Sequence, residues 1–149
     1  YFDRVLRTQG VAGRAARRDQ GVEIMESVGI TDAPSRLDQY PFQLSGGTAQ
    51  RVAIGLALAA GAEALCMDEY TAGLDVTIQR QVLDQVLRLR RERGIAVLFA
   101  TSDLAIAANF SDRMMILEAG RICESGPTRA VMTEPRSAQA RRLIQVSDI

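Results

Sequence analysis

The sequence predicts an α/β protein, with a parallel-sheet core joined to a helical subdomain. Three observations predict it. Two short, nearly continuous apolar runs, "EALCMD" (63–68) and "IAVLFA" (95–100), have the length of strands buried on both faces. Between them Ile78, Val82, Val86 and Leu89 recur at helical spacing, so the order is strand, helix, strand. Ahead of them, residues 1–45 carry helical patterning and no strand-like run, which sets them apart from residues 46–149.

Taken in order, Tyr1 to about Ile30 reads as helical, with Ile24, Met25 and Val28 as an apolar stripe that Gly29 terminates. Thr31 to Phe42 is a loop punctuated by Pro34 and Pro41. Ser45-Gly46-Gly47 opens a run from about Thr48 to Ala60 that is apolar on almost every face, the pattern of a buried helix. Asp75 stands as N-cap of a helix over Val76 to Arg93, closed by Gly94. After the second strand come Thr101-Ser102-Asp103 and a short helix. "RMMILE", Ala119-Gly120 and "RICES" then read as strand, turn and strand. Gly126-Pro127 begins a final helical region broken at Pro135.

Composition narrows the function. The 149 residues are 47% hydrophobic and 24% charged, enough for a real core, and 18 basic side chains balance 18 acidic ones. A net charge of zero argues against nucleic acid as a partner. Histidine is absent, which removes the commonest metal ligand and general base. Lysine is absent too, so no phosphate-binding loop of the form G-x-x-x-x-G-K-[ST] lies in these residues. Cys66 and Cys123 sit in apolar runs and are expected as buried, reduced thiols. No run approaches the roughly 18 residues that a membrane span requires.

Three polar clusters fall where an α/β sheet gathers its chemistry, at or beside the carboxyl ends of strands. Asp68 and Glu69 directly follow the first strand. Neighbouring strand residues point to opposite faces, so one carboxylate can hold Mg²⁺ through water while the other orients an attacking water on a phosphoryl group. An isolated acid pair also marks a plain solvated strand end. Ser45-Gly46-Gly47 presents backbone N–H groups at the positive end of a helix dipole, with the Ser45 hydroxyl as a further donor. Alone it is equally a serine cap with turn glycines. Thr101-Ser102-Asp103, alone, is a helix cap.

In this order the clusters are more specific. "LSGGTAQR", "ALCMDEYTAGLD" and "VLFATSDLA" resemble the C-terminal part of an ATP-binding cassette (ABC) transporter ATPase, in register from about Val22 to Ile149. The family signature falls on Leu44 to Thr48, the Walker B strand on Ala64 to Asp68, and the D-loop on Thr71 to Asp75. "YPFQLSGG", "LDVTIQRQVLD" and "EAGRICESGPT" look most like oligopeptide, dipeptide and nickel importer ATPases. The resemblance implies a partial P-loop NTPase fold whose phosphate-loop portion is missing from these residues.

It also implies ATP and Mg²⁺ as cofactors, bound between two cassettes arranged head to tail as a homo- or heterodimer. Asp68 would serve the metal, and Glu69 together with the switch position Ser102 would serve catalysis. Ser45, Gly46, Gly47, Gln50 and Asp75 would bind nucleotide. Transmembrane permease subunits would be the further partners, with the chain peripheral on the cytoplasmic face of the membrane.

Departures from the family pattern qualify those roles. Ser102 stands where the family has histidine, Tyr70 where proline follows the glutamate, and "EPRSAQARRLI" lacks the His-Pro-Tyr run of many peptide importers. The signature is intact while the switch is altered. A degenerate subunit that only lends its signature to an intact partner, or docks on it, is therefore the alternative. Residues 1–149 alone are expected neither to bind ATP tightly nor to reach full stability. A non-transport ABC protein is disfavoured, since no heptad run appears.

Overall fold

The computed structural model describes residues 1–147. They form two compact units, residues 1–98 and the described residues from Phe99 onward. The first contains α1 (Phe2–Thr8), α2 (Arg14–Ser27), α3 (Ala33–Arg36), a 3-10 turn (Pro41–Gln43), α4 (Gly46–Ala59), β1 (Ala64–Asp68) and α5 (Val76–Arg93). The strand β2 (Ala96–Ala100) runs across the division and neighbours β1 in a two-stranded parallel sheet.

Helix α5 illustrates how local signals set the limits. The Asp75 carboxylate accepts the Ile78 N–H at 3.0 Å, satisfying one of the free donors of the first turn. Gly94, at φ 68°, turns the chain out, and its N–H returns to the Arg90 carbonyl at 2.9 Å. Between them Val82, Leu83, Val86 and Leu89 are all buried. Each such side chain contributes roughly 1.5–3 kcal/mol by leaving water. Arg90, Arg91 and Arg93 in the last turn face the negative end of the dipole.

The early helices are fastened to α4 and α5. Helices α1 and α2 pack on each other and on α4. Val28 is completely buried, and Gly29 at φ 77° ends α2. Carbonyls at that helix end, which lack partners within α2, are taken by side chains from later helices. Arg51 donates to the Gly29 carbonyl at 2.8 Å, while Gln85 and Arg88 donate to that of Ser27 at 2.5 and 3.0 Å.

Three expectations about burial fail. Helix α4 buries Gly47, Ile54, Gly55 and Ala59, and its other apolar residues remain half-buried or exposed. One side packs on α1, α2 and α5, and that is enough for only part of its surface. Strand β1 alternates, with Leu65 and Met67 buried and Ala64, Cys66 and Asp68 exposed, while in β2 Leu98 is 51% exposed. A two-stranded sheet among the described residues covers one face and leaves outer edges unpaired. Cys66 is exposed for that reason, and Cys123 is exposed as well.

The second unit contains α6 (Leu104–Phe110), β3 (Arg113–Glu118), β4 (Arg121–Pro127), α7 (Thr128–Thr133) and α8 (Ala138–Val146). Strands β3 and β4 form an antiparallel hairpin whose register shifts at Ile116/Leu117. Ile122 pairs with Leu117 and Glu124 with Ile116, so Cys123 is the extra residue of a bulge, which breaks the alternation that suggested its burial. Leu104, Met114, Ile116, Val131 and Ala140 form the core of this unit. Met115 is 48% exposed, so only one of the paired methionines fills the core.

Candidate nucleotide site

The carboxyl end of β1 delivers the acid pair. Asp68 is its last residue and is exposed. Glu69 does not continue the strand. Its φ is 42°, in the left-handed region that costs a side-chain-bearing residue roughly 1–2 kcal/mol. The two carboxylates are thus separated by a backbone turn rather than by strand alternation, and both face solvent.

The next residue explains what holds that turn. The Tyr70 hydroxyl donates to the backbone carbonyl of Gln50 in α4. Burial pushes the phenol up to about 12, with a hydrogen bond at Ile54 acting in the opposite direction. Thr71 is buried, and its hydroxyl accepts from the Gln79 side chain at 3.0 Å. Gly73 turns at φ 76°, and Asp75 then caps α5.

The glycine turn lies on this loop. Ser45 caps α4 by accepting the Thr48 N–H at 3.3 Å, and the two hydroxyls lie 2.9 Å apart. Thr48, in the last place of the signature, therefore shares the Ser45 hydroxyl. A Cβ on Gly46 would meet Leu74 at 3.3 Å, and one on Gly47 would meet Ile78 at only 2.6 Å. Gly47 is required by packing inside this chain, apart from any approach to phosphate. Gln50 is half-buried, and its side-chain oxygen is buried with no hydrogen-bond partner.

The turn at Ser45–Gly47, the turn that follows Asp68 and the loop to Asp75 are therefore joined through Tyr70 on Gln50, Leu74 beside Gly46 and Ile78 beside Gly47. Gln79 adds its bond to Thr71. The sequence marks Ile78 only as an apolar helix position and Tyr70 only as a departure from the family pattern, because Gly47 and Gln50, which they meet, lie 31 and 20 positions away. Ser102 lies in the second unit and is exposed. Its neighbours act as a cap: Thr101 accepts the Asp103 N–H at 3.1 Å, and Asp103 accepts those of Ala105 and Ile106 at 2.9 and 3.1 Å.

This donor set fits part of a magnesium–nucleotide site. A fourteen-residue helix begins at exposed Gly46, which suits an anion. Among the described residues no three His, Cys, Asp or Glu side chains gather for a metal. One exposed carboxylate still suits Mg²⁺, which keeps several waters and takes one or two carboxylates plus phosphate oxygens. A hollow of about 710 Å³, lined by residues including Leu58, Glu63, Arg93 and Ile95, lies at the amino ends of the strands, away from Asp68.

Comparison with known proteins places this arrangement. Residues 3–72 match the family model described as ABC transporter. The chain resembles part of an ABC transporter ATP-binding cassette. It is 38% identical over 140 residues to the dipeptide transport ATP-binding protein DppD of Haemophilus influenzae, covering 94% of this chain and 42% of DppD. It is 40% identical over 136 residues to the peptidoglycan transport ATP-binding protein YejF of Agrobacterium fabrum, covering 91% of this chain and 25% of YejF.

Among solved structures, a dimeric structure of the ATP-binding cassette MJ0796 bound to ADP and phosphate superposes with a TM-score of 0.67 at 28% identity. It covers 80% of this chain and 50% of that one. The chain thus spans half or less of the ABC proteins named here. No described helix is long and apolar enough to cross a membrane.

Proposed function

We propose that this chain belongs to an ATP-binding and ATP-hydrolysing subunit that powers an ABC importer of peptides, working as a head-to-tail pair of cassettes on the cytoplasmic face of the membrane. In this reading residues 1–45 are part of the helical subdomain and residues 46–149 part of the ATPase core. The supporting observation is the joining of signature turn, acid-bearing turn and D-loop through Tyr70, Leu74 and Ile78. The relatives named for dipeptide and peptidoglycan transport support the peptide class.

Bound MgATP supplies the phosphoryl group and the electrophilic metal. Asp68 holds the metal's water shell, and Glu69 orients and deprotonates the attacking water. Ser45, Gly46 and Gly47 donate to the phosphates of a nucleotide bound by the partner cassette, where preorganised donors stabilise developing charge. Gln50 and Asp75 complete the nucleotide-binding set in this reading, and Asp75 also caps α5. Permease subunits take up the resulting movement of the helical part.

Ser102 favours a second reading. A serine at the switch position is shorter than histidine and carries no charge, so in this reading the chain's own hydrolytic role is impaired, while the signature still completes the partner's site. The test is MgATP hydrolysis by the intact subunit, assembled with its partner cassette and permease. Ser45→Arg is expected to lower the rate on the order of 10²-fold or more, and Glu69→Gln is expected to cost less. Loss with Ser45→Arg and none with Glu69→Gln would establish the second reading. An unchanged rate with Ser45→Arg would remove both.

A further inference from the structure

Tyr70 has a specific job in joining these turns. We infer that Tyr70 is the positioning residue for Glu69, fixing the acid-bearing turn against α4 through its bond to the Gln50 carbonyl. The inference rests on the function proposed above.

Glu69 needs such a device. It sits at φ 42°, a conformation that persists only where the surroundings over-determine it. Proline at the following position would restrict the backbone locally. Tyrosine restricts nothing locally, so the constraint must come from contacts. The half-buried side chain reaches back across 20 positions, and its hydroxyl donates to a helix carbonyl. The far side of the turn is secured by Gln79 on Thr71. Glu69 thus lies beside one anchor and two residues before a second.

The anchoring helix matters as much as the anchor. Gln50 lies on the first turns of α4, whose N-terminus carries Ser45, Gly46 and Gly47. Tyr70 thereby links the helix that carries Ser45, Gly46 and Gly47 to the turn that carries Glu69.

The test uses the intact subunit in its assembled transporter, with Tyr70→Phe, Glu69→Gln and the double variant. Phenylalanine keeps the ring and removes only the donor. Loss of one hydrogen bond predicts a fall in kcat of about threefold to tenfold, with KM for ATP unchanged. A residue that acts through Glu69 adds nothing once Glu69 is gone, so the double variant should match Glu69→Gln alone. Additive losses, a rise in KM at constant kcat, or an unchanged kcat in Tyr70→Phe would each overturn the inference. Failure of the underlying function looks different, since the wild-type subunit would then hydrolyse no MgATP.

Discussion

Gly47 and Ile78 are in contact so close that a Cβ on the glycine would lie 2.6 Å from the isoleucine Cγ2. The contact joins the first turn of α4 to the first turn of α5, and so the signature turn to the helix that follows the D-loop. Two effects oppose each other at this position. Alanine is favoured over glycine in a helix by roughly 1 kcal/mol, whereas overpacking a closed contact costs about 1–3 kcal/mol.

Overpacking wins at Gly47, because 2.6 Å is far inside normal contact and the methyl it meets sits on the β-carbon of a branched, stiff side chain. Gly47→Ala is therefore expected to lower the denaturation midpoint. Gly46→Ala, facing the movable end of Leu74 at 3.3 Å, should be close to neutral. Denaturant unfolding of Gly47→Ala, Ile78→Ala and the double variant checks this. The glycine substitution should cost less once Ile78 is shortened, and an equal cost in both backgrounds would refute the contact.

What was legible in the sequence follows from the reach of each signal. Asp75, Gly94 and Gly29 act within a turn of themselves, and each performs the cap or stop that its type suggests. The acid pair at the end of β1 was legible because strand length and acids are adjacent. Burial was not. Leu98 and Cys66 belong to apolar runs, yet their exposure depends on what lies over the sheet, which no local pattern encodes. The bulge at Cys123 arises from pairing with a strand of different register.

At the site, the sequence offers an anion turn or a plain serine cap for the glycines and no packing role, because Ile78 is 31 positions away from Gly47 and invisible to periodicity. Tyr70 was registered only as a missing proline. Its hydroxyl has meaning only once α4 has folded beside β1.

The second unit carries an acid-dependent contact. The Glu124 carboxylate accepts the Ser137 N–H at 2.8 Å and the Arg136 N–H at 3.0 Å, tying β4 to the start of α8. Those bonds, Ser137 first, hold its pKa below the ordinary value of 4.5. A depressed carboxyl pKa means that the unfolded chain takes up the proton first as pH falls. The stabilisation is complete above the ordinary carboxyl range and is lost as pH drops through the lowered folded value. The melting temperature of Glu124→Gln should therefore fall less than that of the wild type between about pH 6 and pH 3. Asp3 and Asp38, also shifted downward, are common to both proteins and cancel in the comparison. Parallel curves would show that the bond contributes nothing.

The hairpin turn between β3 and β4 holds a residue in the wrong place for its type. Glu118 pairs with Arg121, leaving Ala119 and Gly120 as a two-residue connection with φ of 48° and 76°. Two positive φ values in succession match the twist of the strands and call for Asn-Gly. Gly120 meets the demand at no cost, while alanine in this region costs roughly 1–2 kcal/mol. Asparagine tolerates it better because its side chain bonds to the local backbone. Ala119→Asn should raise stability by several tenths to about 1 kcal/mol. Ala119→Val, branched at Cβ and worse suited to positive φ, should lower it. Denaturant midpoints of the three proteins decide the matter, and the order Asn above Ala above Val is the expected one. A reversed order would mean that Ala119 is not held at positive φ in solution.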